Sequence, residues 1–125
     1  MEAQFREDVM AAGDAPFMSG TGGRGIVTCA GGVRLFVCVY VLVRILRETL
    51  DCKLPIELWH FGGEEITPAM RSLLSGLDVD LVDATAVLKD HPAAIADGWQ
   101  LKAYALVHSR FDEVLFLDAD QVPVR

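Results

Sequence analysis

Two carboxylates one residue apart, Asp118 and Asp120, follow the apolar run VLFL near the end of this 125-residue sequence. Residues i and i+2 of a strand share one face about 6.6 Å apart, where like charges repel by about 2.5 kcal/mol at a dielectric constant of about 20. A divalent cation reverses that sign, because Mg²⁺ and Mn²⁺ bind one or two carboxylates together with phosphate oxygens. Ala119 between them is small enough to let a substrate come close. The triplet therefore indicates a metal and phosphate site; the alternative is a solvated strand end with two neighbouring acids.

The elements that must position this pair alternate between strand and helix. Apolar, β-branched runs predict four strands, at residues 25–30, 55–61, 79–84 and 113–118. Capping signals and longer mixed runs predict helices at residues 33–52, 68–74 and from 97 or 98 to 109, the last preceded by a loop that carries His91 and Pro92. This alternation is typical of a Rossmann-like α/β domain with a mainly parallel sheet and flanking helices. The domain is predicted over residues 25–125, after a flexible arm at residues 1–24 that is rich in glycine.

The carboxyl ends of these strands should meet at one edge of the sheet. Right-handed crossovers place them together, and open α/β sheets bind ligands at that edge. The edge should collect residues 31–32, residues 61–63, Asp83 and residues 118–120. The glycine pair at residues 31–32 either lets a nucleotide approach the backbone or forms a tight turn for steric reasons alone.

Composition limits the partners and the compartment. A net charge of -7 and a pI of 4.8 disfavour nucleic acid as a partner. The three cysteines, an odd number without C-x-x-C spacing, are predicted to be buried thiols rather than a disulfide framework or a zinc site. The longest apolar run, residues 35–43, is too short to cross a bilayer, and residues 1–10 lack the apolar stretch of a signal peptide. We therefore predict a cytoplasmic or membrane-peripheral protein without a transmembrane segment. Apolar surface that an open sheet leaves uncovered would favour self-association.

The stretches GIVTCAGG and LPIELWHFG and the block from WQLK to LDAD carry a resemblance to a known family. Residues 24–125 resemble the mannosyltransferases related to the fungal Golgi α-mannosyltransferases and are similar, more distantly, to the glycogenin-like glycosyltransferases. The resemblance implies the N-terminal, donor-binding half of a GT-A fold in a metal-dependent, retaining transferase. Its donor would be GDP-mannose or a UDP-hexose, its metal Mn²⁺ or Mg²⁺, and its acceptor a glycan or another molecule.

The resemblance also implies roles for individual residues. Asp118 and Asp120 would hold the metal and the diphosphate. The end of the first strand would line the nucleotide, through Thr28, Cys29, Ala30 and Gly31. Lys102, on the helix before the last strand, would reach the donor, although a solvated helix lysine is the alternative. Trp99, on the same helix, is expected in the core or in the wall of the site.

Two other interpretations stay open. A phosphatase of the haloacid-dehalogenase type also ends a strand with D-x-D, but there the motif closes the first strand, whereas here it closes the fourth. A fragment that binds a nucleotide or a partner without catalysis is the second. Family members continue past the D-x-D strand with an acceptor-binding half, so we expect a fragment or a short relative and assign no catalytic residue.

Overall fold

The computed structural model describes residues 23–124, which form a four-stranded parallel sheet covered by helices on both faces. The strands are β1 (Arg24–Cys29), β2 (Ile56–His60), β3 (Val79–Asp83) and β4 (Glu113–Phe116), in the spatial order β3-β2-β1-β4. The predicted Rossmann-like α/β class is confirmed. The predicted arm at residues 1–24 lies outside the described residues except at its end, where Arg24 begins β1.

The described residues contain four α-helices: α1 (Gly32–Arg44), α2 (Pro68–Leu74), α3 (Ala84–Asp90) and α4 (Gly98–His108). The helix predicted at residues 33–52 is shorter in the structure. Helix α1 passes into a π-helical turn over residues 45–49, and the chain then leaves helical structure. Helix α2 begins where its sequence predicts. The Thr67 hydroxyl accepts a 3.2 Å hydrogen bond from the Met70 amide, and proline occupies the first helical position.

Helix α3 occupies residues 84–90, where the sequence predicts no helix, whereas the predicted loop that carries His91 and Pro92 follows it. Asp83 Oδ1 accepts hydrogen bonds from the amide and the hydroxyl of Thr85, at 2.9 and 2.7 Å. These bonds satisfy the first turn of α3, so Asp83 is its N-cap. Ala84, predicted as the end of a strand, is instead the first residue of this helix.

Strand β1 is buried on both faces, as parallel strands with helices on either side usually are. Ile26 packs with α1 and α2, whereas Val27 and Cys29 pack with α4 on the opposite face. The first layer includes Phe36, Val39, Leu42, Met70 and Leu74, and the second Trp59, Leu101, Tyr104 and Ala105. This packing from both sides fixes the carboxyl end of β1 between α1 and α4.

The strand order places a switch point between β1 and β4. The chain leaves β1 through α1 toward β2, but after β3 it returns through α4 to the other side of β1. Connections that diverge from neighbouring strands leave a crevice at their carboxyl ends, which is where open α/β sheets bind ligands. The predicted ligand edge is therefore the edge at which this crevice opens.

Part of the surface of α1 is apolar. Val33, Val37 and Val41, which are spaced four residues apart, are 70%, 56% and 47% exposed. Self-association through such a surface stays a prediction. Within residues 23–124, the helices are too short or too polar to cross a membrane.

Candidate functional site

A cleft of about 300 Å³ opens at the carboxyl edge of the sheet. The end of β1 forms its base, through Cys29, Ala30 and Gly31. Phe61 and Glu65, which follow β2, line one side, and the segment that leads into α4 lines the other. Lys102, on the second turn of α4, contributes the one Lys or Arg side chain among the described lining residues. The cleft thus brings together the predicted residues 29–31 and Lys102.

An ion pair joins Lys102, which lines this cleft, to Asp118, which, like Ala119 and Asp120, is not among the described lining residues. The Lys102 ammonium lies 2.6 Å from Asp118 Oδ1, and both side chains are partly exposed, at 28% and 41%. The oxygen has no hydrogen bond of good geometry within the described residues, so the contact is a close ion pair without an aligned N–H···O bond. Burial raises the pKa of the neighbouring Cys29 thiol to about 12, while the charge of Lys102 lowers it and that of Asp118 raises it. These three groups, from β1, α4 and the end of β4, share one electrostatic environment.

The D-x-D motif lies on a turn and not on a strand, which corrects the geometry predicted for it. Strand β4 ends at Phe116, and the Leu117 amide makes one further bond of 3.0 Å to the Val27 carbonyl. The chain then turns: the Gln121 amide donates to the Asp118 carbonyl at 3.1 Å, and the Asp118 amide donates to Gln121 Oε1 at 2.6 Å. The repulsion calculated for two carboxylates on one strand face therefore does not apply.

The turn sends the three residues of the motif to different surroundings. Asp118 faces Lys102, Ala119 is 7% exposed and packs into the core on the α1 side, and Asp120 is exposed. Packing in the core accounts for the small side chain of Ala119. Contact between Ala119 and a substrate stays a prediction.

The acidic groups fit a hard cation only in part. Within residues 23–124, no three His, Cys, Asp or Glu side chains are grouped closely enough to hold a metal ion. Asp118 and Asp120 offer carboxylate oxygens, and one of these is already paired with Lys102. Mg²⁺ and Mn²⁺ accept such a half-site when substrate phosphates and water complete the shell. The donor set therefore suits a cation that is held jointly with a bound diphosphate.

Thr28 lies apart from the other residues predicted to line the nucleotide. It is 1% exposed, is absent from the described lining of the cleft, and its hydroxyl has no hydrogen-bond partner within residues 23–124. Gly31 is half-buried, whereas Cys29 and Ala30 are buried. A Cβ atom there would overlap the Glu65 carboxylate, and Gly32 adopts a φ of +75°, which favours glycine. The glycine pair therefore has a steric basis at both positions.

A known protein family matches the part of the chain that forms this fold and site. A family model described as "Mannosyltransferase putative" matches residues 23–125. The chain belongs to this mannosyltransferase family. The match spans both sides of the cleft, the Lys102 helix and the D-x-D turn.

Fungal alpha-1,2-mannosyltransferases are also similar to this mannosyltransferase-family chain in sequence. The alpha-1,2-mannosyltransferase MNN2 of Candida albicans is 28% identical over 124 residues, which cover 93% of this chain and 20% of the relative. MNN2 of Saccharomyces cerevisiae is 27% identical over 106 residues, covering 82% and 17%. MNN24 of Candida albicans is 36% identical over 110 residues, covering 82% and 14%. The predicted relationship to fungal α-mannosyltransferases is confirmed, and the chain spans about a fifth or less of the length of the curated relatives it matches.

Glu65 of this mannosyltransferase-family chain was not among the predicted site residues. The sequence indicates only a charged loop or helix start there, and the structure shows a 3₁₀ turn over Gly63–Glu65. The side chain reaches back into the cleft, where its Oε2 accepts a 2.8 Å hydrogen bond from the Phe61 amide. No local pattern identifies this position, because it depends on β2 lying next to β1.

The position of Trp99 in this mannosyltransferase-family chain contradicts the prediction that it lies in the core or in the wall of the site. It is 76% exposed, so it lies neither in the core nor in the described wall of the cleft. Its ring centre is 4.2 Å from the Lys102 ammonium, a distance at which a cation is attracted by the ring face. Lys102 is thus positioned between an aromatic ring and a carboxylate.

Asp83, predicted at the ligand edge of this mannosyltransferase-family chain, has a structural role there. Burial alone would raise the pKa of its carboxyl group, but hydrogen bonds from Thr85 and the Gly62 amide, together with the charge of His60, lower the pKa overall. The Gly62 amide donates to Asp83 Oδ1 at 3.1 Å, so the loop after β2 is tied to the end of β3. That tie supports the side of the cleft that carries Glu65.

Proposed function

We propose that this chain is the donor-binding part of a metal-dependent mannosyltransferase. It would bind a nucleoside-diphosphate sugar, GDP-mannose or a UDP-hexose, for transfer of the hexose to a glycan or another acceptor. The observation that carries the proposal is the ion pair between Lys102, which lines the cleft at the carboxyl end of β1, and Asp118 of the D-x-D turn after β4. Membership of the mannosyltransferase family supports the choice of sugar.

Each group of the site has a separate task in donor binding. Lys102 supplies a compact cation for a diphosphate oxygen, in a chain whose net charge is -7. Asp118 and Asp120 would hold Mn²⁺ or Mg²⁺, which neutralises the diphosphate when it is bound. Cys29, Ala30 and Gly31 provide the surface under the nucleoside.

Binding of the diphosphate would rearrange the ion pair. The Lys102 ammonium now lies against Asp118 Oδ1, and a phosphate oxygen competes for the same cation. When Lys102 turns to the phosphate, Asp118 gains an oxygen for the metal. Metal and nucleotide should therefore bind cooperatively, because each stabilises the arrangement that the other requires.

Retention of configuration follows from the resemblance alone and stays part of the proposal. Within the described residues we assign no group to the anomeric carbon. The contribution proposed for this chain is to bind the donor, orient its diphosphate and lower its charge.

A calorimetric titration of the chain with GDP-mannose and with UDP-glucose, with and without Mn²⁺, tests the proposal. We expect at least one donor to bind, with an affinity that falls when Mn²⁺ is left out. Asp120→Ala should remove the dependence on Mn²⁺. Asp112→Ala is the matched control, since Asp112 is an exposed aspartate that precedes β4, at the opposite edge of the sheet. Failure of both donors to bind, or equal dependence on Mn²⁺ in Asp120→Ala, would overturn the proposal.

A further inference from the structure

Trp99 is an exposed aromatic residue beside the cleft. Gly98, which precedes it, and Lys102, one turn later on α4, line the cleft, whereas Trp99 itself does not. Of the two tryptophans in the sequence, Trp59 is 1% exposed and Trp99 is 76% exposed. Area that stays in water adds nothing to the hydrophobic stabilisation of the fold. The ring of Trp99 is therefore available to a ligand.

The two faces of the Trp99 ring have different surroundings. The Lys102 ammonium lies over one face, 4.2 Å from the ring centre, and pairs with Asp118. Over the opposite face, residues 23–124 place no other ring or cation, and the indole N–H has no hydrogen-bond acceptor among them. The free face is therefore directed away from the cation that is proposed to hold the diphosphate.

The distance from Lys102 decides which reactant the free face can serve. A sugar ring packed on it lies about 4 Å from the indole, and so about 8 Å from the Lys102 ammonium. The hexose of the donor is bonded directly to the diphosphate that Lys102 holds, so it is expected nearer to the ammonium. The nucleoside, on the other side of the diphosphate, occupies the cleft. The free face of Trp99 is thus placed for the acceptor.

An indole ring with a free N–H matches a pyranose sugar. One face of a pyranose ring carries C–H bonds that pack on an aromatic ring, and its edge carries hydroxyl oxygens that accept an N–H. The exposure of Trp99 also fits a sugar that belongs to a larger glycan, because the rest of the glycan needs a path into solvent.

We propose that Trp99 is the platform on which a pyranose ring of a glycan acceptor stacks. This inference rests on the proposed function and adds an acceptor subsite to it. Because Trp99 and Lys102 lie one turn apart on α4, this one helix brings the acceptor and the diphosphate of the donor together.

Quenching of tryptophan fluorescence tests the platform, because Trp59 is buried and the accessible emission comes from Trp99. Acrylamide is the quencher of choice, since it is neutral and the chain carries a net charge of -7. We expect α-linked mannotriose, without nucleotide or metal, to reduce the quenching along a saturating curve with an affinity of about 1 mM, the strength of one stacked sugar. Mannitol, which carries hydroxyl groups but no ring, should have no such effect at the same concentration.

Substitution of Trp99 separates the ring from its N–H. Trp99→Ala should bind mannotriose about tenfold more weakly, because the area of one ring face is no longer buried. Trp99→Phe should recover part of that loss, since it keeps a ring and lacks only the N–H. NMR titration measures both variants, in which the fluorescent probe is gone. Leu73→Ala is the matched control, because Leu73 is a 50% exposed apolar residue of α2 outside the described lining of the cleft.

The outcomes distinguish this inference from the proposed function. Equal quenching with and without mannotriose, or an unchanged mannotriose affinity in Trp99→Ala, would overturn the acceptor subsite and leave the proposed donor binding in place. Equal protection by mannitol would overturn it as well, because no ring face is then required. A chain that binds mannotriose at Trp99 but fails to bind GDP in Mn²⁺ would overturn the proposed function alone. The wild-type quenching decides the matter by itself if the Trp99 variants do not fold.

Discussion

The ammonium group of Lys102 lies 2.6 Å from Asp118 Oδ1 and links helix α4 to the turn that follows β4. Because both side chains are partly exposed, such a pair contributes only about 0–1 kcal/mol to folding. Its position, with Lys102 lining the cleft, matters more than its strength. A cation held beside an acidic turn, with an aromatic ring on another side, is available to a ligand without loss of the fold.

Replacement of Lys102 should impair binding much more than stability. Lys102→Met keeps the length of the side chain and removes the charge, so we expect GDP to bind about tenfold or more weakly, since a hydrogen bond to a charged group contributes about 1.5–3 kcal/mol. Lys89→Met, at an exposed lysine of α3 outside the cleft, is the control. Calorimetry gives the affinities and thermal unfolding the stabilities. Unchanged GDP affinity in Lys102→Met would remove the lysine from the site.

The thiol of Cys29 should be unreactive in the folded chain. It is buried, and its pKa is raised to about 12, so almost no thiolate is present at a pH of about 8. Cys38 and Cys52 are half-buried and should react with iodoacetamide faster. Mass spectrometry of the alkylated peptides measures each site, and unfolding in guanidinium chloride should make all three react. Alkylation of native Cys29 as fast as that of Cys52 would show that the base of the cleft is more open than described.

Glu57 should be a large contributor to stability. It is 3% exposed, and its carboxylate accepts the Trp59 indole N–H at 2.9 Å and the Arg110 amide at 3.2 Å. Glu57→Ala leaves the buried Trp59 indole N–H and the partly buried Arg110 amide without this acceptor, and we expect a loss of about 3 kcal/mol in the free energy of unfolding. Glu113→Ala is the comparison, because its ion pair with Arg24 is exposed and its loss should cost less than about 1 kcal/mol. Urea denaturation measures both, and equal costs would contradict this distinction.

The contact of His91 with His108 should make the fold sensitive to mild acid. The two rings are 4.9 Å apart, and burial, followed by the charge of His91, lowers the pKa of His108. The unfolded chain therefore takes up the proton first as the pH falls below about 6.5, and the free energy of unfolding decreases from there until the folded state is protonated too. The full contribution is present above that pH.

Urea denaturation at a pH of about 7.5 and of about 5 measures the loss, and His108→Phe should make it smaller because the buried titrating group is gone. The lowered pKa of Asp83 acts separately, since the stability it provides is lost only at a pH below about 4. If the free energy of unfolding falls by the same amount between a pH of about 7.5 and of about 5 in His108→Phe and in the wild type, His108 is not the source of the loss.

The strands and two capped helices follow from local chemistry, and for that reason the sequence predicts them. Thr67 and Asp97 accept amides of the next turn through their own side chains, so their signals lie within a few residues. Helix α3 carries the same signal in Asp83 and Thr85, but the apolar run of β3 continues into it without a glycine or proline. The start of α3 could have been predicted only by interpreting Asp83 as an N-cap rather than as one more residue of the strand.

The positions of the site residues depend more on contacts between residues that lie far apart in the sequence. The spacing of Asp118 and Asp120 predicts an acidic pair at the sheet edge, but the turn after Leu117 arises from a side-chain bond of Gln121 that the strand pattern does not indicate. Glu65 enters the cleft only because β2 lies beside β1. Trp99 looks like a core residue by type, yet its position on the first turn of α4 leaves it exposed over Lys102. Residue type predicted the chemistry of the edge, and tertiary packing decided which side chains reach it.

The most direct measurement is the amide NMR spectrum of the chain with GDP and a small amount of Mn²⁺, because the paramagnetic ion broadens only resonances near it. We expect broadening at Asp118 and Asp120, at Lys102 and at Gly31, and none at Asp78 or Asp112, which precede β3 and β4 at the opposite edge. Asp120→Ala should abolish it. Broadening centred away from the D-x-D turn, or equally strong in Asp120→Ala, would contradict a metal-assisted diphosphate site between β1 and β4.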